Sequence, residues 1–267
     1  MPDVMTPDHA RPLLSLTGIS KIYDPRAGAP LTALRDVTLD VQRNEFVTLV
    51  GPSGCGKSTL LKLIGGIEAP SAGDIVFDGR RLTEPSPRAG LVFQRPILLP
   101  WRNVLGNILF PIEMLGWPTR SFRDEAVRLI ELVGLKGFER SLPHELSGGM
   151  QQRVAICRAL IYDPQLLLMD EPFGALDAMT REELSIELLR IWTERRKTIV
   201  FVTHSISEAV LLGDRVIVMT ARPGRIVEDL RVEIARPRSL DAEGTPEFTA
   251  LVRRVRAAIY ASRKVST

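Results

Sequence analysis

The stretch Phe46-Val47-Thr48-Leu49-Val50-Gly51-Pro52-Ser53-Gly54-Cys55-Gly56-Lys57-Ser58-Thr59 decides the fold. An apolar, β-prone run leads into a loop that matches the phosphate-binding pattern G-x-x-x-x-G-K-[ST] at every defined position. Thr59 to Ile64 then continues as a helix that Gly65-Gly66 ends. Strand, glycine loop and helix in this order make a phosphate cradle. The glycines leave backbone N–H groups free to point into one concave turn, Lys57 adds a compact charge, and the Ser58 hydroxyl is placed to reach a magnesium ion. The helix N-terminus contributes its partial positive charge to the same concavity. Gly51, Ser53, Gly54, Cys55, Gly56, Lys57, Ser58 and Thr59 are therefore the candidate nucleotide-binding residues of this loop.

Upstream, Leu13 to Ile19 alternates as a strand and leads to Lys21-Ile22-Tyr23, and Leu34 to Val41 is a second strand after a Pro/Gly loop. Arg43-Asn44 turns the chain into the strand before the glycine loop, so an antiparallel meander feeds that strand. Downstream, Asp74 to Phe77 followed by Asp78-Gly79 predicts a strand and a type I′ turn. Leu91-Val92-Phe93-Gln94 reads as a strand ending in an amide.

Asn103 to Ile161 is helical in character, with Phe122, Ala126, Leu129, Ile130 and Val133 on one face, Ser121 as a cap and Gly134 as a stop. This predicts a helical subdomain inserted over about residues 96–162. Its last helix, Gly149 to Ile161, ends at Asp163-Pro164. Gln165 to Met169 is an apolar strand delivering Asp170 and Glu171 at its carboxyl end, where open α/β sheets place their ligands. A helix from Arg181 to Arg195 precedes a strand, Thr198 to Thr203, that ends at His204. Ser205-x-x-Glu208 opens the next helix as a capping box. Arg215 to Met219 and Ile226 to Asp229 form a hairpin around Pro223-Gly224, and Pro246 to Tyr260 an amphipathic helix with a solvated basic face. Residues 1–12, with His9, are expected to be a disordered tail, 13–230 the nucleotide-binding domain and 231–267 an extension.

Composition sets limits on partners and compartment. Hydrophobic residues make up 45% and charged residues 25% of 267 residues, as in an ordinary globular protein, and the net charge of +3 gives nucleic-acid binding no support. No apolar run approaches the roughly 18 residues of a membrane helix, and residues 1–12 carry no signal-peptide core. Membrane work would need another subunit to supply the spanning helices. The two cysteines, Cys55 and Cys157, have no metal-ligand spacing and fit a reducing compartment. Cys157 reads as a small apolar residue and His144 as solvated.

Several side chains at strand ends are candidates for chemistry. Asp170 would orient magnesium and its waters, and Glu171 would accept a proton from an attacking water. Gln94 is open between a ligand for magnesium or that water and a surface glutamine. His204 is open between a γ-phosphate donor and an ordinary polar residue, and Tyr23 between stacking on adenine and a core or surface position.

Leu146-Ser147-Gly148-Gly149-Met150-Gln151-Gln152-Arg153 settles these alternatives by resemblance. With Tyr23, GPSGCGKST, Gln94, LLLMDEP, Ala175-Leu176-Asp177 and His204 in the same order, the chain resembles the ATP-binding cassette family over nearly its whole length. The resemblance implies an α/β fold with a P-loop NTPase core, an antiparallel β subdomain and an inserted helical subdomain. It implies ATP and Mg2+, with Ser58, Gln94 and Asp170 as metal ligands and Glu171, His204, Gln94 and Lys57 as catalytic residues. It further implies a homodimer in which ATP on one copy is covered by Ser147, Gly148 and Gly149 of the other, with Asp177 at the interface.

Within that family, VFQ followed by LLPWRNV, Met150 and FGALDAMTR resemble the ATPase subunits of nitrate, sulfonate and taurine importers. Such subunits sit on the cytoplasmic face of the bacterial inner membrane with two membrane-spanning permease subunits and a separate solute-binding protein. Arg95-Pro96 departs from the acidic or polar pair expected in that subgroup, and Asn44 replaces a common glycine. Other classes weighed are a soluble cassette ATPase without a transport role, a transporter subunit for a different solute, and a non-catalytic ATP switch. The absence of a second cassette or a coiled-coil insertion argues against the first, and Glu171 with His204 against the last.

Overall fold

The computed structural model describes residues 11–24 and 29–264. His9, most of the expected tail, and residues 25–28 of the Pro/Gly loop lie outside the described residues. Strands β1 (Leu14–Tyr23) and β2 (Leu31–Val41) pair antiparallel and precede β3 (Phe46–Val50), which feeds helix α1 (Lys57–Ile64) through the glycine loop. Strands β4 (Ala72–Phe77) and β5 (Arg80–Arg81) form a hairpin, and β6 (Ala89–Val92) follows. Three helices stand between β6 and the next strand: α2 (Val104–Met114), α3 (Arg123–Leu132) and α4 (Gly148–Leu160). The remainder alternates: β7 (Leu166–Asp170), α5 (Ala178–Arg195), β8 (Thr198–Val202), α6 (Ile206–Leu212), β9 (Arg215–Met219), β10 (Ile226–Arg231) and α7 (Pro246–Lys264).

Two sheets result. One is antiparallel, in the order β2-β1-β4-β5, and the other runs β10-β9-β3-β8-β7-β6, parallel except for β10 at its edge. The central strands β3, β8 and β7 are nearly continuous apolar runs because they are covered on both faces, whereas edge strand β10 is largely exposed. Alternate side chains serve different cores. Leu166, Leu168, Val200 and Val202 pack with α1 and the antiparallel sheet, while Leu167, Met169, Ile199 and Phe201 pack with the helices beyond. Helix α1 is thus held between two sheets, with Leu60, Leu61, Leu63 and Ile64 buried at about 2 kcal/mol each.

The turns obey their residues. Asn44 has φ 61, and Asp78 and Gly79 have φ 50 and 73, the pair of positive values a type I′ turn needs. Several local features differ from expectation. Strand β6 stops at Val92, so Gln94 lies in a bend beyond it and not at a strand end. Ser121 is no cap; it lies in a 3-10 turn, Thr119–Phe122, and Phe122 precedes α3 without a side-chain cap. Helix α5 starts three residues early because the Asp177 side chain accepts the Thr180 N–H at 3.0 Å. The capping box at α6 is half formed. Ser205 Oγ accepts the Glu208 N–H, but the Ser205 N–H is taken by Thr203 Oγ1 at 3.0 Å, and the Glu208 carboxylate accepts the Thr203 hydroxyl instead.

Candidate functional site

The order β3-β8-β7 puts three carboxyl ends side by side, so Gly51, His204 and Glu171 emerge at one edge of the sheet. The glycine loop is shaped by Gly54 and Gly56, with φ 74 and 96. At Gly56 a Cβ would meet Leu34 Cδ2 at 2.6 Å, so only glycine lets the loop close onto β2. Lys57 is buried at 4% exposure, and its Nζ donates to Gly51 O at 3.0 Å and Pro52 O at 3.3 Å. A trans peptide points its N–H opposite to its C=O, so turning Pro52 O toward Lys57 aims the Ser53 N–H the other way. Helix α1 has no side-chain cap, which leaves its first-turn N–H groups for an anion. Cys55 is buried beneath the loop, and that burial pushes its thiol up.

Across the edge, Asp170 Oδ1 accepts the Ser58 hydroxyl at 3.0 Å. Burial pushes the Asp170 carboxyl above the usual carboxylate range; the Ser58 hydrogen bond opposes this and the neighbouring Glu171 charge adds to it. Glu171 takes a left-handed conformation, φ 48, with its N–H on Val202 O at 3.0 Å. That unusual backbone swings its carboxylate to 2.6 Å from His204 Nε2. The His204 turn is in turn tied by Thr203 Oγ1 to both Ser205 and Glu208.

Most of these groups line one cleft of about 280 Å³; Gly51, Cys55 and Asp170 are not among its lining residues. Tyr23, Leu31 and Ala33 line it from the antiparallel sheet, with Ser53, Gly54, Gly56 to Thr59, Glu171, His204 and Arg222 completing it. The Tyr23 hydroxyl donates to Glu68 Oε2 at 2.7 Å, which fixes the ring at the cleft. Burial and this hydrogen bond raise the Tyr23 pKa, and the same bond holds the Glu68 carboxyl low.

Residues 34–174 match the family model for the ABC transporter. This chain belongs to the ABC transporter family. An ABC transporter ATP-binding protein of Methanocaldococcus jannaschii is 48% identical over 88% of each chain. An aliphatic sulfonates import ATP-binding protein of Bacillus cereus is 43% identical over 88% of this chain and 92% of its own. A taurine import ATP-binding protein of Roseobacter denitrificans is 45% identical over 83% of each. Among solved structures, a dimeric post-hydrolysis ATP-binding cassette bound to ADP and Pi superposes with TM-score 0.70 at 32% identity, covering 83% of this chain and 100% of that one. One from Clostridium perfringens, part of an ABC transporter complex, superposes with TM-score 0.75 at 26% identity, covering 93% of this chain and 98% of that one. The fold is that of the ABC ATPase cassettes, with a P-loop core.

Not every expected site residue of this ABC-family chain reaches the cleft. Gln94 is exposed and lies beside Gly174, where a Cβ would come within 3.2 Å of its Nε2. Ser147 caps α4, its Oγ accepting the Met150 N–H at 3.3 Å, and with Gly148 it is exposed and lines no part of the cleft. Gly149 backs onto α5, where a Cβ would stand 2.7 Å from Thr180 Cγ2. Asp177 caps α5 and is held low by the Thr180 N–H and hydroxyl. Ser147, Gly148 and Asp177 are therefore exposed, and none of them lines the phosphate loop's cleft. Conversely, Leu31, Ala33 and Arg222 line the cleft without having been marked from the sequence; the one available signal was the Pro223-Gly224 pair, read only as a hairpin link.

Proposed function

We propose that this chain is the ATP-hydrolysing subunit of a membrane importer for a small anion such as an alkanesulfonate, taurine or nitrate. The observation that carries the chemistry is the Glu171 carboxylate 2.6 Å from His204 Nε2, in the same cleft as the glycine loop. Loop N–H groups from Ser53 to Thr59, with Lys57, hold the phosphates, and Tyr23 stacks on adenine. The Ser58 hydroxyl and Asp170 carboxylate, 3.0 Å apart, are hard oxygen donors that would hold Mg2+, and Gln94, the expected third ligand, would have to swing in from its exposed bend. Mg2+ when bound neutralises phosphate charge. Glu171 takes the proton of the attacking water, and His204 donates to the γ-phosphate.

Ser147, Gly148 and Gly149 of a second copy complete the site, with Asp177 between the two copies. Two such subunits work with two membrane-spanning permease subunits on the cytoplasmic face of a bacterial inner membrane, fed by a solute-binding protein. No nucleic acid takes part. The similarity to sulfonate and taurine import proteins supports the solute class. Among the described residues no helix is long and apolar enough to cross a membrane, which agrees with separate spanning subunits. Ile97 and Trp101, between β6 and α2, and Met114, at the end of α2, are exposed at 59%, 73% and 71% and suit an apolar permease contact. The test is hydrolysis by the subunit assembled with its permease. Taurine or an alkanesulfonate with its binding protein should stimulate it severalfold, and stimulation by neutral sugars alone would overturn the solute class.

A further inference from the structure

Arg222 stands in the turn between β9 and β10, remote in sequence from the phosphate loop, yet it lines the same cleft. Its Nε donates to Gly54 O at 2.8 Å, and a Cβ on Gly54 would come 2.9 Å from its Nη2, so the guanidinium lies against the loop at Gly54, on the lining of the cleft. The turn that carries it is tightly held. Thr220 Oγ1 donates to Pro223 O and accepts the Arg225 N–H. Gly224 exchanges hydrogen bonds with β2, its N–H on Ala33 O at 2.9 Å and its carbonyl accepting the Arg35 N–H at 3.0 Å. At Gly224 a Cβ would fall 2.0 Å from Cys55 O, so glycine is what lets this turn reach the phosphate loop.

A guanidinium has five N–H donors in a fixed fork, and the Gly54 carbonyl engages one. Among the described residues no carboxylate forms an ion pair with Arg222. Lys57 is the other cation lining the cleft, and its ammonium is turned onto loop carbonyls. We propose that Arg222 is a second cationic contact to the phosphates of the nucleotide, reaching them from the β9–β10 side of the cleft and tying that turn to nucleotide occupancy. This rests on the nucleotide reading of the cleft. A planar fork suits phosphate oxygens, and one N–H held by Gly54 pre-orients the rest.

The test is ATP affinity of the isolated chain for the wild type, Arg222→Lys, Arg222→Gln and Lys57→Ala, with the thermal midpoint of each measured without nucleotide. Glutamine can still donate to Gly54 O but carries no charge; lysine carries the charge. The expected result is about tenfold weaker binding for Arg222→Gln, within about threefold of wild type for Arg222→Lys, and unchanged midpoints for both. Wild-type affinity in Arg222→Gln, or equal losses in both variants with a lowered midpoint, would overturn the contact and leave Arg222 a brace for the loop. Undiminished affinity in Lys57→Ala would instead remove the nucleotide reading itself.

Discussion

Two helices of this chain open on glycine-rich segments suited to phosphate, and they are built differently. Helix α1 opens from Gly56 with no side-chain cap, beside a buried Lys57, and faces a cleft already furnished with Glu171 and His204. Helix α4 opens from Ser147, whose own hydroxyl caps it, with Gly148 exposed and neither lining the cleft of the phosphate loop. The first is a seat with chemistry attached; the second is a surface with the same N-terminal dipole, set apart from that seat. In the proposed dimer each supplies what the other lacks.

Changes at the seat and at the surface should separate the two roles. Glu171→Gln is expected to lower kcat by about 10²–10⁴ with ATP affinity kept, read by steady-state hydrolysis beside equilibrium binding. Retained turnover would remove Glu171 as the base. Ser147→Arg should cost on the order of 100-fold in hydrolysis while ATP affinity of the single chain stays within about twofold, because the change lies outside the cleft. A confirmed heterodimer of Ser147→Arg with Lys57→Ala keeps one composite site whole and should hydrolyse ATP well above either parent; complete inactivity would count against sharing. Lys57→Ala should weaken ATP binding by about 30-fold, since it removes the cleft's buried charge. Tyr23→Ala should weaken it about fivefold and reduce preference for ATP over GTP, as expected from loss of one aromatic stack.

The seat was legible in the sequence because spacing fixes it. G-x-x-x-x-G-K-[ST] after a β-run, and carboxylates or a histidine directly after apolar strands, leave little room once the strands lie parallel. The surface was legible only through family resemblance, since Leu146 to Gly149 carries no chemistry that its own chain uses. What escaped depends on tertiary pairing. Tyr23 meets Glu68 because β1 lies beside β4, and Arg222 meets Gly54 because β9 lies beside β3. Ser205 and Glu208 read as a capping box, but the Thr203 hydroxyl competed for both partners and won. Arg238 carries no signal in the sequence. It is 7% exposed and donates to Val210 O, Leu211 O and Gly213 O at the end of α6, and burial pulls its pKa down to about 10.

The division of labour between the two helix openings is tested most directly by the mass of Glu171→Gln in solution with Mg2+ and ATP. The expected result is a dimer holding two nucleotides, and a monomer holding one when Ser147→Arg is added to the same chain. A Glu171→Gln chain that binds ATP yet stays monomeric, or a dimer that forms regardless of Ser147, would contradict it.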